Sequence, residues 1–135
     1  MKTILATLLA GAALLAAPVA NAQRHRATPD ERLAKLLEGR VAGKPVDCIS
    51  LTMTGSSQVI DGKAIVYTVG NTLYVNEPRG GADQLDDNSI LVTNTFGSQL
   101  CSIDTVRLID RTSYFPRGFV SLNQFVPYTR PKKSN

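Results

Sequence analysis

Tryptophan is absent from this chain, and its 135 residues include only four Phe, four Tyr, two Cys and one His. Burial therefore falls to Val, Ile and Leu, and a core built from them in so short a chain is marginal without a staple. The one histidine, His25, lies in a polar stretch between Arg24 and Arg26 that reads as a disordered lead-in. A general base must be held within hydrogen-bond reach of the proton it takes, and a lead-in does not hold it. Ser-His-Asp and Cys-His catalysis are not expected on that ground. The sequence also lacks HExxH, CxxC and a phosphate-cradling glycine loop ahead of a helix. No catalytic residue, no metal ligand set and no cofactor are expected. A folded basic stripe with interleaved aromatics is missing as well, so no nucleic-acid partner is expected.

Long apolar runs are confined to the start. Lys2 precedes an apolar run from Ile4 to Val19, and Ala20-Asn21-Ala22 supplies a small-x-small cleavage site. This pattern is a secretory signal over 1–22, too short for the ~20 residues that cross a bilayer. The mature chain is expected to begin at Gln23, to be periplasmic or secreted, and to have no transmembrane segment. Lipid anchoring is not expected, because no Cys follows the cleavage site.

Acidic and basic residues are unevenly placed. The chain is +4 overall, yet Ala27 to Thr129 holds nine basic and eleven acidic residues, a net of −2. The excess positive charge belongs to Arg24 and Arg26 at one end and Arg130, Lys132 and Lys133 at the other. Solvated tails account for it, with contact to anionic surfaces as the functional alternative.

Thr28-Pro29-Asp30-Glu31 predicts a helix start: Thr28 caps, Pro29 suits the first helical position, and Glu31 closes a capping box. Leu33, Leu36 and Leu37 share a face, Glu31 can pair with Lys35, and Gly39 terminates. About ten residues of helix need a docking partner to persist. That partner is the body of the same domain or, alternatively, another protein. From Val46 the pattern turns to short β runs: Val46 to Thr52, Ala64 to Val69, Thr72 to Asn76, Ile90 to Phe96 and Thr105 to Asp110. Gly70-Asn71 makes a two-residue hairpin that sets Val69 opposite Thr72 and Tyr67 opposite Tyr74. One hairpin face carries Val66, Leu73 and Val75. The other carries Ile65, Tyr67, Val69 and Tyr74 and is apolar enough to be covered by the helix or by another sheet. Glu77 to Ser89 reads as a long loop. Ser113 to Tyr128 reads as an irregular strand-and-turn segment, with Phe115, Phe119, Phe125 and Tyr128 turned inward. The expected fold is mainly β, a small barrel or sandwich of five to six short strands with one N-terminal α-helix. The chain divides into a signal peptide at 1–22, a lead-in at 23–27, one small β-rich domain at 28–129 and a basic disordered tail at 130–135.

Cys48 and Cys101 are expected to form one disulfide, as a pair of cysteines in a small exported domain does. Three weaker constellations remain. Asp83, Asp86, Asp87 and Asn88 offer oxygen ligands for Ca²⁺ without EF-hand spacing, and a solvated acidic loop explains them as well. Asp47, Asp61, Asp104 and Asp110 are the candidates for paired hydrolytic carboxylates, with nothing to bring two of them together. Arg107, Arg111 and Arg117 near Tyr114 are the candidate binding residues for a carboxylate or phosphate, unless they pair with Asp104 and Asp110.

Val46-Asp47-Cys48-Ile49-Ser50-Leu51, Ile60-Asp61-Gly62, Thr72-Leu73-Tyr74-Val75-Asn76, Gly97-Ser98-Gln99-Leu100-Cys101-Ser102-Ile103-Asp104 and Phe115-Pro116-Arg117-Gly118-Phe119-Val120 form a set. Together they resemble a family of short uncharacterised exported proteins of alphaproteobacteria, over about Glu31 to Tyr128. The resemblance implies export and a shared bridge, and brings no activity or ligand. The expected function is that of a non-enzymatic exported domain binding a protein or envelope component such as a glycan. An inhibitor of an envelope-acting hydrolase, using the loop Glu77 to Ser89, and a His-free carboxylate hydrolase are the alternatives.

Overall fold

A computed structural model describes residues 26–133. The signal segment, the cleavage site, His25 and the last two residues of the basic tail lie outside that range.

The helix forms as its cap predicts. α1 (Pro29–Leu36) starts at Thr28, whose hydroxyl accepts from the Glu31 amide while the Glu31 carboxylate accepts from the Thr28 amide. Gly39 follows at φ +72°, a left-handed turn that glycine adopts without steric cost. Leu33 is buried, and Leu36 and Leu37 pack beside it against Ile60, Ala64, Val66, Leu73 and Val75. The helix thus docks on the body of its own chain.

Ten strands follow in three sheets: β1 (Val41–Ala42), β2 (Cys48–Ser50), β3 (Thr54–Ile60), β4 (Ala64–Val69), β5 (Thr72–Asn76), β6 (Ser89–Thr93), β7 (Gln99–Cys101), β8 (Thr105–Asp110), β9 (Pro116–Ser121) and β10 (Val126–Thr129). The largest sheet runs β1-β10-β5-β4-β3, beside a β6-β8-β9 sheet and a β2-β7 ribbon. The hairpin β4–β5 has the register that a two-residue loop dictates, with Val69 opposite Thr72, Tyr67 opposite Tyr74 and Val66 opposite Val75. Val66, Leu73 and Val75 lie under the helix. Ile65 and Tyr67, on the opposite face, enter the main core with Val59, Ile49, Leu85, Leu100, Val106, Leu108, Val120, Leu122 and Phe125. The architecture is therefore a sandwich with the helix as an outer layer, and the strands do not close into a barrel.

Strands are more numerous than the five or six expected. Four of the ten have two to four residues, and β3 begins with Thr54-Gly55-Ser56-Ser57-Gln58, which carries no apolar alternation to announce a strand. The segment expected to be irregular holds two strands, β9 and β10, despite Pro116, Gly118 and Pro127. Two of its aromatics are also placed otherwise than expected. Phe125 is fully buried, edge-on to Tyr67 at 5.9 Å, and Tyr128 is half-buried, but Phe115 and Phe119 face solvent. Ordinary strand alternation places Phe119: it sits opposite Arg107, on the outward face, while Val120 takes the inward position opposite Val106.

Cys48 and Cys101 are bonded and lie directly opposite one another in the β2–β7 ribbon, with Cα atoms 4.0 Å apart. The bridge suits an oxidising compartment. Among the described residues no helix is long and apolar enough to cross a membrane.

Candidate functional site

The β6-β8-β9 sheet carries the residues singled out by sequence, but not as one cluster. Antiparallel partners share a face, so the rows Val92-Arg107-Phe119 and Ile90-Ile109-Pro116 point away from the core. Phe119 is 57% exposed, and the Arg107 side chain makes no hydrogen bond or ion pair among the described residues. Thr105, Arg107, Pro116, Gly118 and Phe119 line a shallow depression of about 450 Å³. Tyr114 and Phe115 lie in the β8–β9 turn, each 73% exposed. Tyr114 holds φ +59°, a left-handed conformation costly for a side chain with a Cβ.

Arg117 and Arg111 do other work. The Arg117 guanidinium bridges Asp86 at 3.1 Å and Asp110 at 3.2 Å, tying the 77–89 loop to the hairpin. Arg111 donates to the Ser89 carbonyl at 3.3 Å. The expectation that these arginines pair with Asp104 and Asp110 holds for Arg117 and Asp110 alone. Asp104 instead accepts from the Cys101 amide at 2.7 Å. Asp110 is held below the usual carboxylate range, first by the Ser113 and Thr112 amides and the Ser113 hydroxyl, then by Arg117. On the far side, Lys63 is raised by its bond to Asp30 and by Glu77.

The carboxylates do not assemble as the sequence grouped them. Asp47 accepts from Ser102 and Gln124, and Asp110 serves its own turn. Asp61 joins Asp86 and Asp87 in a cluster of three, while Asp83 stands outside it. Arg32 pairs with two members of that cluster, 2.8 Å from Asp61 and 3.7 Å from Asp87, and Asp61 also accepts the Asp87 amide. The 77–89 loop is not a protruding finger. Leu85 is buried, Arg79 and Gly80 bond to Ser121, and a 3₁₀ turn spans Ala82–Gln84.

A seam between two sheet edges was not visible in the sequence. β3 ends the large sheet and β6 ends the three-stranded one. Among the described residues no backbone hydrogen bond joins them. The two-residue loop makes Val69 and Thr72 a hydrogen-bonded pair, so by alternation Ser56, Gln58 and Ile60 bond to β4. Ser57 and Val59 therefore aim their N–H and C=O groups off the edge. On β6, the Arg111 amide bonds to the Asn88 carbonyl, which makes Ile90 and Val92 the bonded positions. Leu91 and Thr93 aim outward across the seam. Two adjoining clefts of about 490 and 280 Å³ run along it. The first is lined by Ser57, Val59, Ser89, Leu91, Arg32 and Arg111, and the second by Ser57, Tyr67, Leu91 and Thr93 among others. Two buried hydroxyls, of Tyr67 and Ser89, find no hydrogen-bond partner, and each belongs to a residue lining one of these clefts. Burial also pushes the Tyr67 phenol well above its ordinary range.

Compared with known proteins, the chain matches no family model, no curated protein and no solved structure.

Proposed function

We propose that this protein is an exported, non-enzymatic binding domain that docks a protein of the cell envelope on the outer face of its β6-β8-β9 sheet. The carrying observation is that face itself. Phe119 stands exposed opposite Arg107, whose side chain has no partner among the described residues, and Tyr114 and Phe115 are exposed in the β8–β9 turn. Aromatic and arginine side chains at the centre of a patch are the composition of interface hot spots. Tyr114 held at positive φ adds weight, because strained backbone gathers at functional positions. Charge complementarity selects a partner surface that offers an apolar side chain beside a carboxylate.

Export is supported by the signal-like start and the bridge between Cys48 and Cys101. The test is capture from periplasmic extract with the wild type, with Arg107→Ala/Phe119→Ala and, as a control on the helix layer, with Lys35→Ala. The wild type and the control retain one defined protein, and the double variant loses it by about tenfold or more. Recovery of only lipopolysaccharide or glycan, or undiminished capture by the double variant, refutes the reading.

A further inference from the structure

We infer that the seam between β3 and β6 is a strand-acceptor site for an extended polypeptide segment of a partner, uncharged along its length and bearing a carboxylate at the Arg111 end. This site is separate from the outer sheet face and does not depend on it.

Four facts converge on this occupant. Edge strands expose a row of unpaired donors and acceptors, and folded proteins ordinarily blunt them with Lys, Pro or inward-pointing charge. Neither wall of the seam has that protection: Thr54–Ile60 and Ser89–Thr93 contain no charged residue and no proline. Secondly, the free backbone groups face each other across the cleft. Ser57 and Val59 lie on one side, Leu91 and Thr93 on the other, and all four line it. A glycan or lipid has no regular repeat of N–H and C=O to meet them, whereas a β-strand does. Thirdly, the hydroxyls of Tyr67 and Ser89, with their residues 4% and 3% exposed, are buried without partners. Such groups cost free energy until something bonds them, and a strand backbone lying in the seam supplies both donors and acceptors. Finally, the ends differ in charge. Arg32 is committed to Asp61 and Asp87, but Arg111 bonds only to a carbonyl among the described residues. Its guanidinium is free to take a carboxylate.

The stretch of β3 that runs beside Leu91 and Thr93 precedes the stretch beside Ser89 and Leu91, so the two walls are antiparallel. An inserted strand therefore runs parallel to one wall and antiparallel to the other. It joins the two sheets into a single run, β1-β10-β5-β4-β3-strand-β6-β8-β9.

The test uses the full chain, its disulfide intact, with three N-acetylated probe peptides. The first is Thr-Val-Thr-Val-Thr with a free C-terminal carboxylate, the second the same peptide as its C-terminal amide, and the third Thr-Val-Thr-Val-Glu amide. Amide exchange followed by NMR reads the contact. The two carboxylate peptides slow exchange at Ser57, Val59, Leu91 and Thr93, and the neutral amide binds about tenfold more weakly, as does the first peptide to Arg111→Gln. Preference between the two acidic peptides tells a chain terminus from an acidic side chain. Ser57→Pro removes an outward N–H without touching the β3–β4 ladder and abolishes binding, while Phe119→Ala leaves it intact. Unchanged exchange at the four seam amides under saturating peptide overturns the inference. So does equal binding of the neutral amide, or concentration-dependent self-association blocked by Ser57→Pro, which makes a second copy the occupant. Arg111→Gln keeps the test decisive if Ser57→Pro fails to fold.

Discussion

At the scale of single residues, the most informative side chains are those whose polar groups are unusually well or unusually poorly served. Asp110 is the first kind. Two amides, a hydroxyl and a guanidinium favour its charged form, so its folded pKa lies below the ordinary value. A depressed carboxylate contributes stability that is fully present above the unfolded value, near 3.9, and is lost as pH falls through the folded one. Asp110→Asn is accordingly expected to lower Tm at neutral pH and to flatten the loss of Tm between about pH 5 and pH 2. Thermal unfolding across that range checks it. Tyr67 is the second kind. Its ring packs edge-on against Phe125, while its hydroxyl is buried without a partner. Tyr67→Phe keeps the ring and removes the orphan group, so the free protein is expected to gain up to about 1 kcal/mol in denaturant unfolding.

Single elements show what the sequence discloses and what it withholds. The helix was legible because its cap is local: Thr28, Pro29 and Glu31 sit within one turn. Thr28→Ala is expected to cost about 1 kcal/mol, measured by chemical denaturation, because the Glu31 amide loses the hydroxyl that caps it. The β4–β5 register was legible for the same reason, since a two-residue loop leaves one pairing. β3 was not. Its first five residues are small and polar, and only the neighbouring β4 makes them a strand. Phe115 and Phe119 were expected inside because aromatics usually lie there. Pairing with Arg107 turns Phe119 outward and Phe115 lies in the β8–β9 turn, and composition reveals neither placement. Of the candidate site, Arg107 was named from sequence and lies on the outer sheet face, Tyr114 lies in the turn beyond it, and Arg117 is consumed by Asp86 and Asp110. The seam and the joining of Asp61 to Asp86 and Asp87 depend on contacts across more than twenty residues of chain. No local pattern encodes them.

Viewed whole, the molecule is a helix, a five-stranded sheet and a second β layer, drawn together by an aliphatic core and one bridge. Phe125 is the one aromatic at its fully buried centre, and burying such a side chain contributes roughly 1.5–3 kcal/mol. The disulfide acts at larger scale. With its cysteines 53 positions apart, it restricts the unfolded chain by about 4 kcal/mol on the chain-entropy model. Cys48→Ala/Cys101→Ala is therefore expected to lower unfolding free energy by an amount approaching that figure. A loss below about 1 kcal/mol would show that the aliphatic core alone sustains the fold.

Among the described residues β3 and β6 meet without sharing a backbone hydrogen bond, and that unclosed seam is what distinguishes this sandwich from a sealed barrel. Hydrogen exchange of the free protein, resolved amide by amide, tests it most directly. An open seam gives alternation: Ser57, Val59, Leu91 and Thr93 exchange fast while Ser56, Gln58, Ile90 and Val92 are protected. Uniform protection along both strands would mean that the edges are already paired, and would contradict the account.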